Sequence, residues 1–236
     1  MNKLLTILLL SVAFAACNNP NSTTQIAQVQ SEKSDNQQEV LKPLVAEFNE
    51  IMNSLQTEAD IISTQAKLEK LLKKFPDDND SNTQVQKLKL KVLLQLGYLN
   101  EANALATKIL ALDSTASIQE TQCLIQRKLQ KPTNQINKCY EKAAKLYQAQ
   151  YEKLSNDNPQ KQYILWSSYA AMYQAGHADY KQKLKAIVNA QTTEDEKHTF
   201  NTMYENVVDP TVIKEILESM PYKKQVHLRT FFMSIY

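Results

Sequence analysis

Apolar residues recur along this chain at the helical spacing of three to four, in short runs separated by breakers. The first run opens at Pro43, a residue suited to a helix's first turn, and puts Leu44, Phe48, Ile51, Met52 and Leu55 on one stripe. A second covers 58–75, with Ile61, Ile62, Leu68, Leu71, Leu72 and Phe75 expected inward, and Pro76-Asp77-Asp78-Asn79-Asp80 stops it. A third, over 82–96, carries Val85, Leu88, Val92 and Leu96; Gly97 breaks it and a fourth follows over 100–112. Runs over 115–129 and 134–154 flank Lys131-Pro132-Thr133, and runs over 161–175 and 178–190 flank Gly176-His177. Three shorter helices, 194–206, 210–219 and 221–235, are expected to close the chain. The last carries Val226, Leu228, Phe231, Phe232 and Ile235 and is expected to pack as a terminal cap, which a stack of hairpins needs.

The pattern predicts an all-α fold of antiparallel helical hairpins over residues 41–236, enough chain for one domain with a real core. Composition agrees. The chain has 2 glycines, too few for hairpin-rich sheets or phosphate-cradling loops, which consume glycine. Formal charge is +2, so no basic excess is available to drive nucleic-acid binding.

The N-terminus departs from the pattern. Lys3 precedes an apolar run, Leu4 to Phe14, of secretory-signal length and too short to remain as a membrane-spanning helix. Ala15-Ala16 then lead into Cys17. The stretch from Asn18 to about Val40 is rich in Asn, Gln, Ser and Thr and cannot bury enough apolar surface to offset the entropy of ordering. It is expected to be a flexible polar tether with a reach of ~25–30 Å.

Phe14-Ala15-Ala16-Cys17 resembles a lipobox, the cleavage signal of bacterial lipoproteins. The resemblance implies a lipoprotein signal peptide over 1–16, lipidation of Cys17, a tether over 17–40 and permanent membrane anchoring, each buried CH₂ contributing about 0.8 kcal/mol. The other reading is an ordinary secretory signal that leaves Cys17 as a spare thiol. Asn18 and Asn19, by resemblance to enterobacterial sorting, imply an outer-membrane lipoprotein facing the periplasm.

A second resemblance rests on Leu96-Gly97-Tyr98-Leu99-Asn100-Glu101-Ala102 with Leu105, Ala106, Ile109, Leu110, Ala111, Leu112 and Asp113. This stretch resembles the turn and second helix of a tetratricopeptide repeat. Leu68 to Asp77 resembles the end of a preceding repeat. The resemblance implies a short solenoid whose first helices line a concave groove and which acts by binding other proteins.

Cys123 and Cys139 lie symmetrically about the turn at Lys131. Antiparallel helices would bring them to the same height, so an oxidising compartment favours a disulfide; two buried thiols pointing apart is the alternative. The three histidines, His177, His198 and His227, share no metal-ligand spacing. No nucleophile elbow or phosphate loop occurs, so neither catalytic residues nor cofactors are expected, and no small-molecule substrate is evident. Glu194-Asp195-Glu196 fits the first turn of a helix, where negative charge suits the dipole.

Aromatic residues are the more suggestive group. Tyr163, Trp166, Tyr169 and Tyr173 share one predicted helix, and Tyr140, Tyr147 and Tyr151 the one before it. Tyr and Trp are rigid anchors enriched at interfaces, although the same stripe serves equally as core between hairpins. By analogy with helical-repeat grooves, Lys87, Lys91, Tyr163, Trp166 and Tyr173 are candidate partner contacts. The sequence thus reads as a lipid-anchored module that binds another envelope or secreted protein, as a scaffold, adaptor, assembly factor or pilotin-like protein. The alternatives are an immunity lipoprotein that neutralises an exported toxin and, third, an envelope enzyme.

Overall fold

A computed structural model describes residues 27–54, 58–76 and 82–221. The expected signal peptide, Cys17, the start of the tether, Leu55, His227 and the expected terminal cap lie outside the described residues. The described residues form α1 (Ala27–Asn53), α2 (Glu58–Leu72), α3 (Thr83–Gln95), α4 (Leu99–Leu112) and α5 (Ala116–Lys128). Then come α6 (Thr133–Lys153), α7 (Lys161–Gln174), α8 (Tyr180–Asn189), α9 (Glu194–Val208) and α10 (Pro210–Ser219). No strand occurs among them, and each helix packs on its neighbour in sequence. The fold is the all-α succession of helical hairpins that the pattern predicts. Among the described residues no helix is long and apolar enough to cross a membrane.

The hairpin turns share one device. After α3, α5 and α7 a single residue takes a left-handed conformation: Gly97 at φ 72°, Gln130 at φ 53° and Gly176 at φ 97°. In each case the next amide reaches back five residues along the closing turn. Tyr98 donates to the Leu93 carbonyl at 2.9 Å, Lys131 to Gln126 at 3.0 Å and His177 to Met172 at 3.2 Å. This cap satisfies carbonyls that the helix end leaves open and turns the chain into the antiparallel partner. Glycine meets the left-handed requirement at two turns; Gln130 meets it with a Cβ and carries the associated strain.

The core is a row of clusters, each spanning adjacent helices. Leu44, Ile51, Leu68, Leu71, Val85 and Val92 join α1 to α3. Leu90, Leu99, Leu105, Ile109, Ile118 and Ile125 join α3 to α5. Ile136, Tyr140, Ala143, Ala144 and Ala171 join the disulfide to α6 and α7. Trp166, Leu184, Val188 and Phe200 join α7 to α9. The alanines at the α6–α7 seam let the two backbones approach closely.

Two expectations shift. Residues 27–40 were expected as tether, but α1 begins at Ala27 and runs through Pro43, which sits inside the helix and not in its first turn. Gln28, Gln30, Glu32, Lys33, Gln37 and Glu39 are good helix formers, and helix propensity needs no buried face. Pro43 costs one amide bond to the Glu39 carbonyl. Ile62, expected inward, is 78 % exposed because Thr64, some 200° around the helix from it, takes the buried phase with Leu68 and Leu71.

Candidate interaction surfaces

The residues that sequence analysis offers as partner contacts divide between core and surface. Lys87 is buried, its ammonium 2.6 Å from Asp113 Oδ2 at the end of α4. The pair closes the first full hairpin; Lys87 is therefore a structural cation and not a free contact. Trp166 is also interior, 2 % exposed, its ring 5.5 Å from that of Phe200 on α9. A tryptophan so placed in the α7–α9 core cannot present its ring to a partner. Tyr163 stacks on Phe200 at 4.9 Å and is 41 % exposed. Tyr173 is half-buried, and Lys91 is exposed on α3. The helices that carry these candidates, α3 and α7, pack into different core clusters.

Among the remaining predicted features, Thr193 caps α9 by accepting from the Glu196 amide at 3.3 Å and donating to Glu196 Oε2 at 2.9 Å. The acidic triplet is thus a helix-opening turn. His177 Nε2 lies 3.1 Å from Glu141 Oε1, across the α6–α7 seam, and His198 is exposed. Among the described residues no group of three or more His, Cys, Asp or Glu is placed to hold a metal ion.

Cys123 and Cys139 form a disulfide between α5 and α6, with Cα atoms 5.5 Å apart. The bond sits in a buried polar thread. Gln122 Nε2 donates to Thr107 Oγ1 on α4 at 2.7 Å, Gln119 Nε2 donates to Gln122 Oε1 at 3.2 Å, and the same amide lies 3.2 Å from Cys139 Sγ. Beside it, the Tyr147 hydroxyl donates to Glu120 Oε2 at 2.6 Å. Glu120 as a residue is half-buried, yet burial of its carboxyl raises its pKa above the ordinary 4.5, against the opposing pull of the Tyr147 bond. Burial likewise pushes the Tyr140 and Tyr147 phenols up. Tyr140 is 1 % exposed, and its hydroxyl has no hydrogen-bond partner among the described residues. These groups hold α4, α5 and α6 in register.

A second arrangement lies at the end of α5, where sequence analysis offered no candidate. Arg127 lies over the Tyr140 ring, 4.8 Å from its centre, and donates to the Gln174 side chain and to the Gln174 carbonyl at 3.1 Å. Gln174 in turn donates to the Val207 carbonyl at 3.0 Å, tying α5, α7 and α9 together. Lys128 donates to the Leu217 carbonyl of α10, and Met220 packs against the α3–α5 cluster. The chain thus folds back so that α10 lies by α5, nearly ninety residues earlier. Between them is a cleft of about 320 Å³ walled by Arg127, Lys128, Ile213, Lys214, Leu217 and Glu218. The signal for it in the sequence was faint: two cations in the last turn of a helix, the ordinary complement to its dipole.

No family model matches this chain, and no match was found among curated proteins or solved structures.

Proposed function

We propose that the protein is a lipid-anchored, periplasm-facing interaction module, held at the outer membrane through Cys17 and acting on another envelope or secreted protein. The observation that carries the reading is the row of hairpins. Each core cluster is shared by adjacent helices, so the array can display a long surface without a central cavity. The recurring left-handed cap supports the likeness to tetratricopeptide repeats. Gly97 and Gln130 are 33 residues apart, close to the ~34-residue period of that family, although Gly176 follows after 46. The Cys123–Cys139 disulfide fits an oxidising compartment.

Two measurements test the two halves of this reading. Cys17→Ala should release the chain from membranes and abolish labelling by a radioactive or clickable fatty acid. A chain that stays anchored and labelled would refute the lipid assignment. Crosslinked affinity capture of the anchored protein, read by mass spectrometry, should recover one envelope or secreted protein reproducibly. Recovery of an exported toxin would move the assignment to an immunity lipoprotein, and recovery of nothing specific would remove the interaction reading.

A further inference from the structure

We propose that the α5–α10 cleft is a docking site for a protein segment that carries a large apolar side chain beside carboxylates, an inference that rests on the interaction-module reading. The floor of the cleft is apolar: Ile213 and Leu217 turn the inner face of α10 towards α5 and remain only half-buried. Its volume, about 320 Å³, lies at the small end of ligand-sized pockets, roughly 300–1,000 Å³, and suits a side chain better than a cofactor. Its rim is cationic. Arg127, Lys128 and Lys214 face one carboxylate, Glu218, which lies 3.8 Å from Lys214. Among the described residues Arg127 donates to Gln174 and Lys128 to the Leu217 carbonyl, both neutral acceptors. Two positive charges therefore border an apolar hollow with no carboxylate bonded to them. Placement in the last turn of α5 accounts for Arg127 and Lys128 being cations, since they complement the helix dipole. It does not account for the half-covered apolar floor beside them, nor for Lys214 on the opposite wall.

Charge selects among occupants. Residues 222–236, which follow α10, contain Lys223, Lys224 and Arg229 and no acidic residue. A cationic segment beside a cationic rim is disfavoured. An acidic-apolar partner is attracted by the rim and desolvates the floor, the pairing of anchor and steering charges that complementary interfaces use. A concave site walled by two helices also suits a peptide segment better than the flat face of a membrane.

The test uses the full-length chain and three fluorescent blocked peptides. One has Phe and Leu flanked by aspartate and glutamate, one has lysines in place of the acids, and one has serines in place of Phe and Leu. Fluorescence anisotropy should show binding of the first alone, weakening as salt rises. Lys214→Glu should weaken it about tenfold and Glu218→Lys should strengthen it by a similar factor. Both positions are exposed, so the fold is expected to survive, and circular dichroism checks this. Equal binding of the acidic and basic peptides, no binding at millimolar peptide, or indifference to both substitutions would overturn the proposal. So would a charge-sensitive preference for phosphatidylglycerol vesicles with no peptide selectivity, or a large gain in peptide binding when the chain is stopped after Pro221. That last result would show residues 222–236 to be the resident occupant. Crosslinked capture with the Lys214→Glu chain separates the two levels. A partner recovered undiminished leaves the interaction module standing and removes this site.

Discussion

Two buried side chains at the α5–α6 seam work against the fold. Glu120 has its carboxyl pushed above the ordinary value by burial, which means the folded protein holds that proton more tightly than the unfolded chain. The stability so gained is present below the unfolded pKa of 4.5 and lost as pH rises through the higher folded value. Glu120→Gln keeps an oxygen to accept the Tyr147 hydroxyl and removes the charge. Its melting temperature should match the parent's near pH 4 and exceed it progressively above pH 4.5; an equal offset at every pH would show that ionisation is not the cause. Tyr140 presents a different cost, a buried hydroxyl with no partner among the described residues. Tyr140→Phe should raise stability by about 1 kcal/mol in urea unfolding, because an unsatisfied buried group carries a desolvation penalty and the ring packing is retained. A loss of stability would mean that the hydroxyl is bonded in solution. Neither feature was legible from spacing. Tyr140 and Tyr147 stood out as aromatic, but their polar ends acquire meaning only from what packs over them. Lys87 shows the converse, since a lysine among apolar residues reads as surface until Asp113 arrives from another helix.

The helices themselves were legible, because a stripe at three-to-four spacing is a local property and Gly97, Pro132 and Gly176 punctuate it. The exceptions share a cause. Residues 27–40 lack a stripe yet are helical, since propensity alone leaves no apolar mark. The left-handed cap after α5 carries glutamine where the other two turns carry glycine, so its φ of 53° was hidden. Gln130→Gly should remove that strain of roughly 1–2 kcal/mol while adding chain entropy to the unfolded state, for a net gain of about 0.5 kcal/mol in chemical denaturation. A net loss would indicate that the glutamine side chain holds the turn by contacts that outweigh the strain. The same hairpin carries the disulfide, and here the sequence offered the pair, two cysteines placed evenly about a turn, with thiols pointing apart as the alternative that the structure does not show. Closing a loop between positions 16 apart contributes roughly 3 kcal/mol in the chain-entropy model. The double variant Cys123→Ala/Cys139→Ala should lose about that much, measured by denaturant midpoint. Insensitivity of the parent to reductant, with full alkylation of both thiols in the untreated protein, would show that the bond does not form.

At the scale of the whole chain, the arrangement of the core sets how damage spreads. Among the described residues four clusters lie in sequence order, each shared by consecutive helices, so most stabilising contact there is with the next element along. Such an array behaves as a sum of local units and nearest-neighbour seams. The fold-back of α10 onto α5 is the departure: Lys128 with Leu217, and Met220 on the α3–α5 cluster, link segments far apart in sequence. That link and the cleft beneath it were invisible to periodicity, which reports one helix face at a time and not which distant helix meets it. Leu184 is completely buried in the α7–α9 cluster, and Leu184→Ala should cost about 3 kcal/mol there, transfer and cavity terms combined. Hydrogen exchange should accelerate in α7, α8 and α9 and reach α10 through its contact with α9. Amides of α1 and α2, in the cluster at the far end of the row, should keep their protection, and those of α5 should respond only as far as the Arg127–Gln174–Val207 bonds and the Lys128 and Met220 contacts with α10 carry the loosening. Uniform acceleration along the chain would mean that the helices unfold as a single cooperative block, in which case the α10 fold-back, and not the seams between neighbours, governs the stability of the array.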